Sequence, residues 1–478
     1  MAEGTPNLKD FYLSVKNAAE LIHEQAEKGR FINIISHIDA DGLAAAGVMG
    51  KALARMGAFF KIRIWKQVDR TLIEELSSEE KTLSVFTDLG SGSLDLLKTK
   101  LLDWNIIVLD HHQPVDASFP KLIHVNPHLY AIDGARDISG SGVAYLTAKE
   151  MDKVNIDLST MAIVGALGDV QDKNQKRELI NLNSNIVKDA IDTGCISAET
   201  DLILYGHETR PIHKALAYTT SPYIQGLSGE EDKCLGFLMN IGINLKNKDQ
   251  WRAISDLNVE EKQKIFSEIA KFLSSKKVAN TITLSLIGTV YTLAKEERGT
   301  PLRDAREFSS LLNACGRMRK SGLGVAICIG CRGKILDEAQ EVLNNYRKTL
   351  SEYMNWLTKT PNSIEELENI YVIRGKDVID ELMLSTIASV LASSGYFNKN
   401  KPILAYTSTE NGMIKVSGRI PTYFVNKKIN LGTIFHDASM QFKGIGGGHD
   451  VAAGAQLPQG VEDDFIRLID QLVRSSTK

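Results

Sequence analysis

Little in this 478-residue chain could cross-link it: there are five cysteines, an odd number, at Cys195, Cys234, Cys315, Cys328 and Cys331. So few thiols exclude a disulfide framework and fit a reducing compartment. An excess of one charge is also missing. The 56 Lys and Arg set against 59 Asp and Glu leave a net charge of -3, which argues against indiscriminate electrostatic attachment to long nucleic acid. A local basic groove facing an acidic site would cancel in that sum. No apolar run approaches the length that spans a bilayer, and Met1 to Asp10 lacks the basic-then-apolar pattern of a secretion signal. A cytoplasmic protein is expected. Internal repeats, heptad runs and low-complexity tracts are absent too. The length is more than one core carries comfortably and suggests two or three domains.

What is present is an alternation of short apolar runs with helical periodicity. A helix is expected over Leu8 to Glu27, then a strand over Phe31 to Ser36 and a small-residue helix over Gly42 to Met56. Further strands are expected near Phe59 to Trp65, Leu83 to Asp88, Ile106 to Asp110 and Leu122 to Val125. Helices fall around Ser93 to Leu102 and Ser141 to Asp152. Such βαβ alternation means a parallel sheet, so the fold class is α/β. From about Gln171 to Leu284 the strand signal fades into helical stretches. Thr281 to Tyr291 and Gly324 to Gly330 read as strands, and Asp337 to Leu357 as a long polar helix. After Pro361 the alternation resumes with Ile370 to Arg374, a helix over Asp380 to Ser394, then Ile403 to Thr407 and Ile414 to Ile420. The expected division is a parallel-sheet domain over 1–175, a mostly helical inserted segment over 176–360 and a smaller α/β domain over 361–478. The Cys328-Ile-Gly-Cys331 spacing suits a metal or redox pair. With no second pair and an apolar context it reads instead as buried structure.

The most informative feature is how the apolar runs end. Ile34-Ile35-Ser36 gives way to His37-Ile-Asp39-Ala-Asp41, Val85-Phe86-Thr87 to Asp88, Ile107-Val108-Leu109 to Asp110-His111-His112, and Ala166-Leu167-Gly168 to Asp169. A single Asp-Gly at a strand end is what a cap or turn requires. Four such endings in strand context would instead converge at the carboxyl edge of a parallel sheet, where open α/β sheets bind ligands. His37, Asp39, Asp41, Asp88, His111 and Asp169 can surround two adjacent cations. Carboxylate and imidazole donors without thiolate favour Mn²⁺ or Mg²⁺ over structural zinc, and two such ions suit phosphoester hydrolysis.

A second constellation lies downstream. Gly446-Gly447-Gly448-His449 reads as a loop whose backbone can approach a phosphate, with an imidazole beside it. Ser417 and Arg419 offer a hydroxyl and a guanidinium fork for another. Arg317, Arg319, Lys320, Arg332, Lys427 and Lys428, with Tyr423 and Phe424, could track a single strand by ion pairing and stacking.

These motifs resemble those of the DHH phosphoesterase superfamily, whose eponymous triplet is Asp110-His111-His112 here. Together with the length and the helical middle, they look like the archaeal RecJ-like nucleases, particularly the GINS-associated nuclease. The resemblance covers most of the chain and is weakest from about 175 to 360. It implies that the six donors above are metal ligands for two Mn²⁺. It also implies that Asp110 orients the histidine pair, that His112 touches the scissile phosphate, and that Arg419 and His449 grip the phosphate or strand end. The activity it implies is exonucleolytic hydrolysis of single-stranded nucleic acid, DNA from 5′ to 3′, with RNA an alternative. The partner it implies is the GINS complex of the archaeal replicative helicase. Bacterial RecJ proteins carry Asp where His37 stands, a change of donor that could shift metal preference toward Mn²⁺. Two alternatives remain open on the residues: a hydrolase of short oligonucleotides or small phosphoesters, and a replisome scaffold with a vestigial site.

Overall fold

The fold is taken from a computed structural model, which describes residues 5–219, 224, 226–275, 283–394, 396–397, 401–421 and 429–477. The chain divides into two compact units, Met1–Leu216 with Leu235–Leu343, and Ala217–Cys234 with Asn344–Lys478.

The first unit is built on five parallel strands, β1 (Ile32–His37), β2 (Phe60–Trp65), β3 (Leu83–Thr87), β4 (Ile106–Leu109) and β5 (Leu122–Val125), in the order β2-β1-β3-β4-β5. From β1 the chain steps out to β2 and then crosses back to β3. The order therefore reverses between β1 and β3, and the carboxyl ends of those strands open a crevice. Strands β1, β3 and β4 are buried along nearly their whole length, as a sheet covered on both faces requires. One face carries α3 (Arg70–Ser77) and α4 (Leu94–Leu101), whose Leu72, Leu76, Leu94 and Leu97 pack on Ile35, Phe86, Ile106 and Val108. The remaining helices include α1 (Leu8–Glu27), α2 (Ala40–Arg55), α5 (Gly140–Met151) and α6 (Ser159–Gly168), with α2 packed on α5 and α6.

Three sequence expectations are corrected in this unit. Gly324 to Gly330 is no strand but part of a helix, Ser321–Ile329. A continuous buried apolar run has no period that separates helix from strand, and its small residues serve close helix packing. A Cβ on Gly47 would stand 2.2 Å from that of Cys328. Cys328 is buried there and burial pushes its thiol up; all five cysteines are free. Second, Asp169 does not end a strand. It caps the C-terminus of α6. Third, a strand over Ile196–Leu202 interrupts the helical stretch and pairs antiparallel with Ile287–Leu293. Ser197, Glu199 and Thr200 in it are exposed, so no apolar alternation betrays it.

The second unit carries a mixed six-stranded sheet. Its order is Ile364–Glu366, Tyr371–Arg374, Ile403–Ser408, Met413–Arg419, Ala452–Pro458, Ile445–Gly448. Leu431–Gln441 and Glu462–Thr477 contribute to one core, with Phe435 and Phe465 at its centre. Leu384–Ser393 supplies much of another. Residues 446–448, expected as a loop, form an edge strand paired with Ala452–Pro458. Glycine has no strand preference of its own, so the pairing is imposed by the neighbouring strand. Among the described residues no helix is long and apolar enough to cross a membrane.

Candidate metal centre

The crevice at the carboxyl edge of the first sheet collects side chains from four segments. His37 closes β1, Asp39 and Asp41 open α2, Asp88 follows β3, Asp110 to His112 follow β4, and Asp169 arrives from the end of α6. Asp88 sits at φ 57°, a left-handed conformation uncommon for a residue with a side chain. Its amide still donates to Leu109 O (2.9 Å), so the strand ladder runs to its last residue before the chain turns. Local strain of this sort is maintained at sites where the side chain must be aimed.

Donor atoms come together in three overlapping groups: His37, Asp39 and Asp88; Asp41, Asp88, His111 and Asp169; and Asp88, His111 and His112. Asp88 belongs to all three. His111 Nε2 lies 3.1 Å from Asp169 Oδ2, 3.3 Å from Asp88 Oδ1 and 3.8 Å from Asp41 Oδ2. His37 Nδ1 lies 2.8 Å from Asp39 Oδ2 and 3.7 Å from Asp88 Oδ2. Both Asp88 oxygens are buried and receive no hydrogen bond from any described residue; His37 Nδ1 and His111 Nε2 are in the same condition. Buried carboxylate oxygens that accept no hydrogen bond, set against imidazole nitrogens, are what hard or borderline divalent cations satisfy. The donor set fits such cations.

The surroundings fix the ligands rather than neutralise them. Asp41, fully buried, accepts from Gly140 N (2.6 Å), Ser141 N (3.1 Å) and Ser141 Oγ (2.5 Å) at the start of α5. A Cβ on Gly140 would come within 2.6 Å of an Asp88 oxygen and one on Gly165 within 2.2 Å of an Asp41 oxygen, so both positions need glycine for closeness of approach. Asp39 caps α2 through Gly42 N (3.0 Å) with one oxygen and keeps the other for His37. His111 Nδ1 donates to Gly134 O (2.6 Å), which leaves Nε2 directed at the carboxylates, the usual arrangement behind a ligating histidine. Ser139-Gly140-Ser141-Gly142 is a visible small-residue run opening a helix, and that signal could have disclosed the Asp41 cradle. No sequence signal marks Gly134.

Asp110 plays a different part. It is fully buried and every contact is a satisfied one, from Ser91 N (2.9 Å) and from the backbone and ring of the histidine pair. Its Oδ1 accepts from His112 Nδ1 (2.8 Å). The His112 side chain is 46% exposed.

Burial alone raises Asp41 and Asp169 above the usual carboxylate range, and neighbouring carboxylates add to it. Burial would lower His37 and His111, but the carboxylates around them prevail and hold both well above the ordinary imidazole value. The cation-free cluster therefore keeps protons that the unfolded chain would release. Its contribution to stability falls as pH rises above about 4, where unfolded carboxylates ionise, and falls again through the raised histidine values. Asp39 and Asp110, held low against burial by the adjacent histidines, act oppositely and lose their contribution only on acidification. Binding of a divalent cation by these side chains would displace the retained protons. The melting temperature difference between Mn²⁺ and EDTA is accordingly expected to widen from about pH 5.5 to about pH 8. A difference that narrows over that interval would contradict the cluster's protonation.

In the second unit, His449 is exposed and its amide donates to Ala452 O (2.8 Å). Arg419 Nε donates to Ser389 Oγ (2.9 Å), and Ser417 is buried. Gly448 approaches Gly432 closely; a Cβ on Gly432 would stand 2.2 Å from Gly448 O. Of the basic residues, Arg332 is engaged by Glu296 through Nη2 (2.5 Å) and Nε (3.0 Å), Arg317 is half-buried, and Arg319 and Lys320 are exposed. Tyr423, Phe424, Lys427 and Lys428 lie outside the described residues. A cleft of about 440 Å³ lined by Arg210, Trp251 and Arg298 shares no residue with the cluster.

A crevice at the carboxyl edge of a parallel sheet that gathers four carboxylates and two imidazoles is the kind of site that metal-dependent hydrolases of the α/β class are built on. Comparison with known proteins makes the assignment particular. Residues 31–167 match the DHH family, N-terminal domain; 204–287 match the DHH-CID domain; and 370–475 match the DHHA1 domain. An uncharacterized protein of Methanocaldococcus jannaschii is 33% identical over 93% of both chains. The single-stranded-DNA-specific exonuclease RecJ of Thermus thermophilus is 26% identical over 47% of this chain and 35% of its own. The crystal structure of that RecJ with Mn²⁺ superposes with a TM-score of 0.58 at 16% identity, covering 99% of this chain and 56% of that one. CDC45 from Entamoeba histolytica superposes with a TM-score of 0.63 at 13% identity, covering 97% and 99%. The chain belongs to the DHH superfamily and is RecJ-like.

Proposed function

We propose that this protein is a Mn²⁺-dependent exonuclease that hydrolyses single-stranded nucleic acid, DNA from its 5′ end, with the first unit cutting and the second holding the strand. The observation that carries the proposal is Asp88: a fully buried carboxylate, strained at its backbone, unsatisfied at both oxygens and common to all three donor groups. When bound, two divalent cations would supply charge stabilisation at the phosphoryl oxygens and lower the pKa of the attacking water. His37, Asp39, Asp41, Asp88, His111 and Asp169 would hold them, with Mg²⁺ a weaker substitute. Asp110 keeps the His112 proton on Nδ1 and presents the opposite nitrogen to the scissile phosphate. Arg419, His449 and the Gly446 to Gly448 strand would grip a phosphate or strand end; Ser417, expected to offer its hydroxyl to a phosphate, is buried and is left out of that grip.

Support for a polymeric substrate comes from the likeness to RecJ and from the large inserted segment, matched over 204–287 by the DHH-CID domain, which a small-phosphoester hydrolase would not need. The complete donor set speaks against a vestigial site. The resemblance to archaeal RecJ-like nucleases and the CDC45-like fold support a place in DNA replication or repair, docked on the GINS complex. Co-elution with purified GINS checks that docking, and separate elution contradicts it.

The activity is tested with end-labelled strands of increasing length in Mn²⁺, as single-stranded DNA, RNA and duplex. Progressive shortening of long single strands from one end, with the duplex spared, is the expected result. Cleavage confined to the shortest oligomers would replace this reading with the short-oligonucleotide one.

A further inference from the structure

Gln171 stands two residues beyond Asp169 and is 3% exposed. Val170 between them has φ 56°, a conformation a β-branched residue rarely adopts. The unusual backbone separates two directions: Asp169 enters the donor cluster, while the Gln171 amide enters the loop before α5. There Gln171 Nε2 donates to Gly134 O (2.9 Å) and Ile138 O (3.2 Å), and its Oε1 accepts from Asn183 Nδ2 (2.6 Å). Asn183 is 1% exposed; its amide also donates to Arg136 O (3.3 Å), and its backbone N–H donates to Asp137 O (2.8 Å). Three of the five residues from Gly134 to Ile138 are thus held through their carbonyls by two buried side-chain amides, and a fourth, Asp137, by the Asn183 backbone.

That short segment touches the cluster at both ends. Gly134 O is the acceptor for His111 Nδ1–H. Two residues past Ile138, Gly140 and Ser141 hold Asp41 through three hydrogen bonds. There is no slack at the near end, since a Cβ on Gly134 would stand 2.2 Å from His111 O. A carbonyl that fixes a ligating imidazole tunes affinity only as far as it is itself immobile, and a buried Gln171 amide with both donors and its acceptor engaged is a rigid anchor.

We propose that Gln171, braced by Asn183, is a positioning residue of the metal centre. It immobilises the Gly134 to Ser141 segment that aims His111 and Asp41, and through Val170 it ties that segment to Asp169. The proposal rests on reading the cluster as a metal centre. It assigns to two amides, neither of which touches metal or substrate, control over how tightly the cation is held.

The test is Mn²⁺ titration of the full chain, followed by electron paramagnetic resonance of the free ion, for wild type, Gln171→Leu and Asp88→Asn. Gln171→Leu removes both donors and the acceptor while nearly keeping the volume. The dissociation constant is expected to rise about 10- to 100-fold, with hydrolysis rescued by excess Mn²⁺. A merely structural amide would lower the melting temperature and leave the affinity of the folded protein unchanged. Wild-type affinity in folded Gln171→Leu overturns this inference and leaves the metal centre standing. Absence of binding in the wild type overturns the metal centre itself. Should Gln171→Leu fail to fold, Gln171→Glu, which keeps shape and acceptor but loses both donors, is expected to show the same weakening; unchanged affinity there overturns the inference equally.

Discussion

Asp88→Asn is expected to lower kcat for strand hydrolysis by at least about 10³-fold while the protein folds as before. The choice of asparagine matters. Asp88 lies at φ 57°, and asparagine is, after glycine, among the residues that enter the left-handed region most readily, so the backbone has no reason to move. The volume is the same and the amide hydrogen bond to Leu109 O is untouched. What is lost is the charge of the one carboxylate common to all three donor groups, along with a second acceptor oxygen. Thermal melts supply a second reading. A ligand present at about 100 times its dissociation constant stabilises the fold by about 2.7 kcal/mol, so the wild type should gain that from Mn²⁺ and Asp88→Asn close to nothing. Retention of more than about a tenth of wild-type kcat would remove Asp88 from the centre of the mechanism.

His112→Gln should separate chemistry from metal binding. His112 stands 3.9 Å from Asp88 and nearly half of its side chain is exposed, whereas His111 is buried among the carboxylates. Burial would lower the His112 imidazole, but Asp110 outweighs it and holds the ring above its ordinary value, favouring a positive charge facing the crevice. A positioned group of this kind contributes about 10²- to 10⁴-fold. The expected result is a fall of that order in kcat with Mn²⁺ affinity near wild type. His111→Gln should lose Mn²⁺ affinity as well, because its Nε2 is directed into the Asp41, Asp88 and Asp169 carboxylates. Equal loss of metal affinity in both variants would contradict the division of roles between the two adjacent histidines.

How far the sequence discloses this site depends on what kind of pattern each residue belongs to. His37, Asp88 and Asp110 to His112 follow apolar strands whose burial leaves no other reason for a charged ending, and the parallel order of those strands follows from the βαβ spacing. The six proposed donors are brought within reach of one another by that topology. Asp169 is less legible in its setting. Ala166-Leu167-Gly168 belongs to a helix so thoroughly buried that it shows no amphipathic period, and the same blindness turned Gly324 to Gly330, in the helix Ser321–Ile329, into an expected strand. The residues that hold the donors in place are the least legible. Gln171 and Asn183 act through backbone carbonyls of Gly134, Arg136 and Ile138, and a carbonyl carries no side-chain signature. Likewise, Gly446 to Gly448 becomes a strand only because Ala452–Pro458 lies alongside to pair with it.

The most direct test is anomalous diffraction at the manganese edge from a crystal equilibrated with Mn²⁺. Two peaks about 3.5 to 4 Å apart, with Asp88 between them and His37 and His111 on opposite sides, are the predicted result. An empty crevice, with those imidazoles turned into packing contacts, would contradict the account.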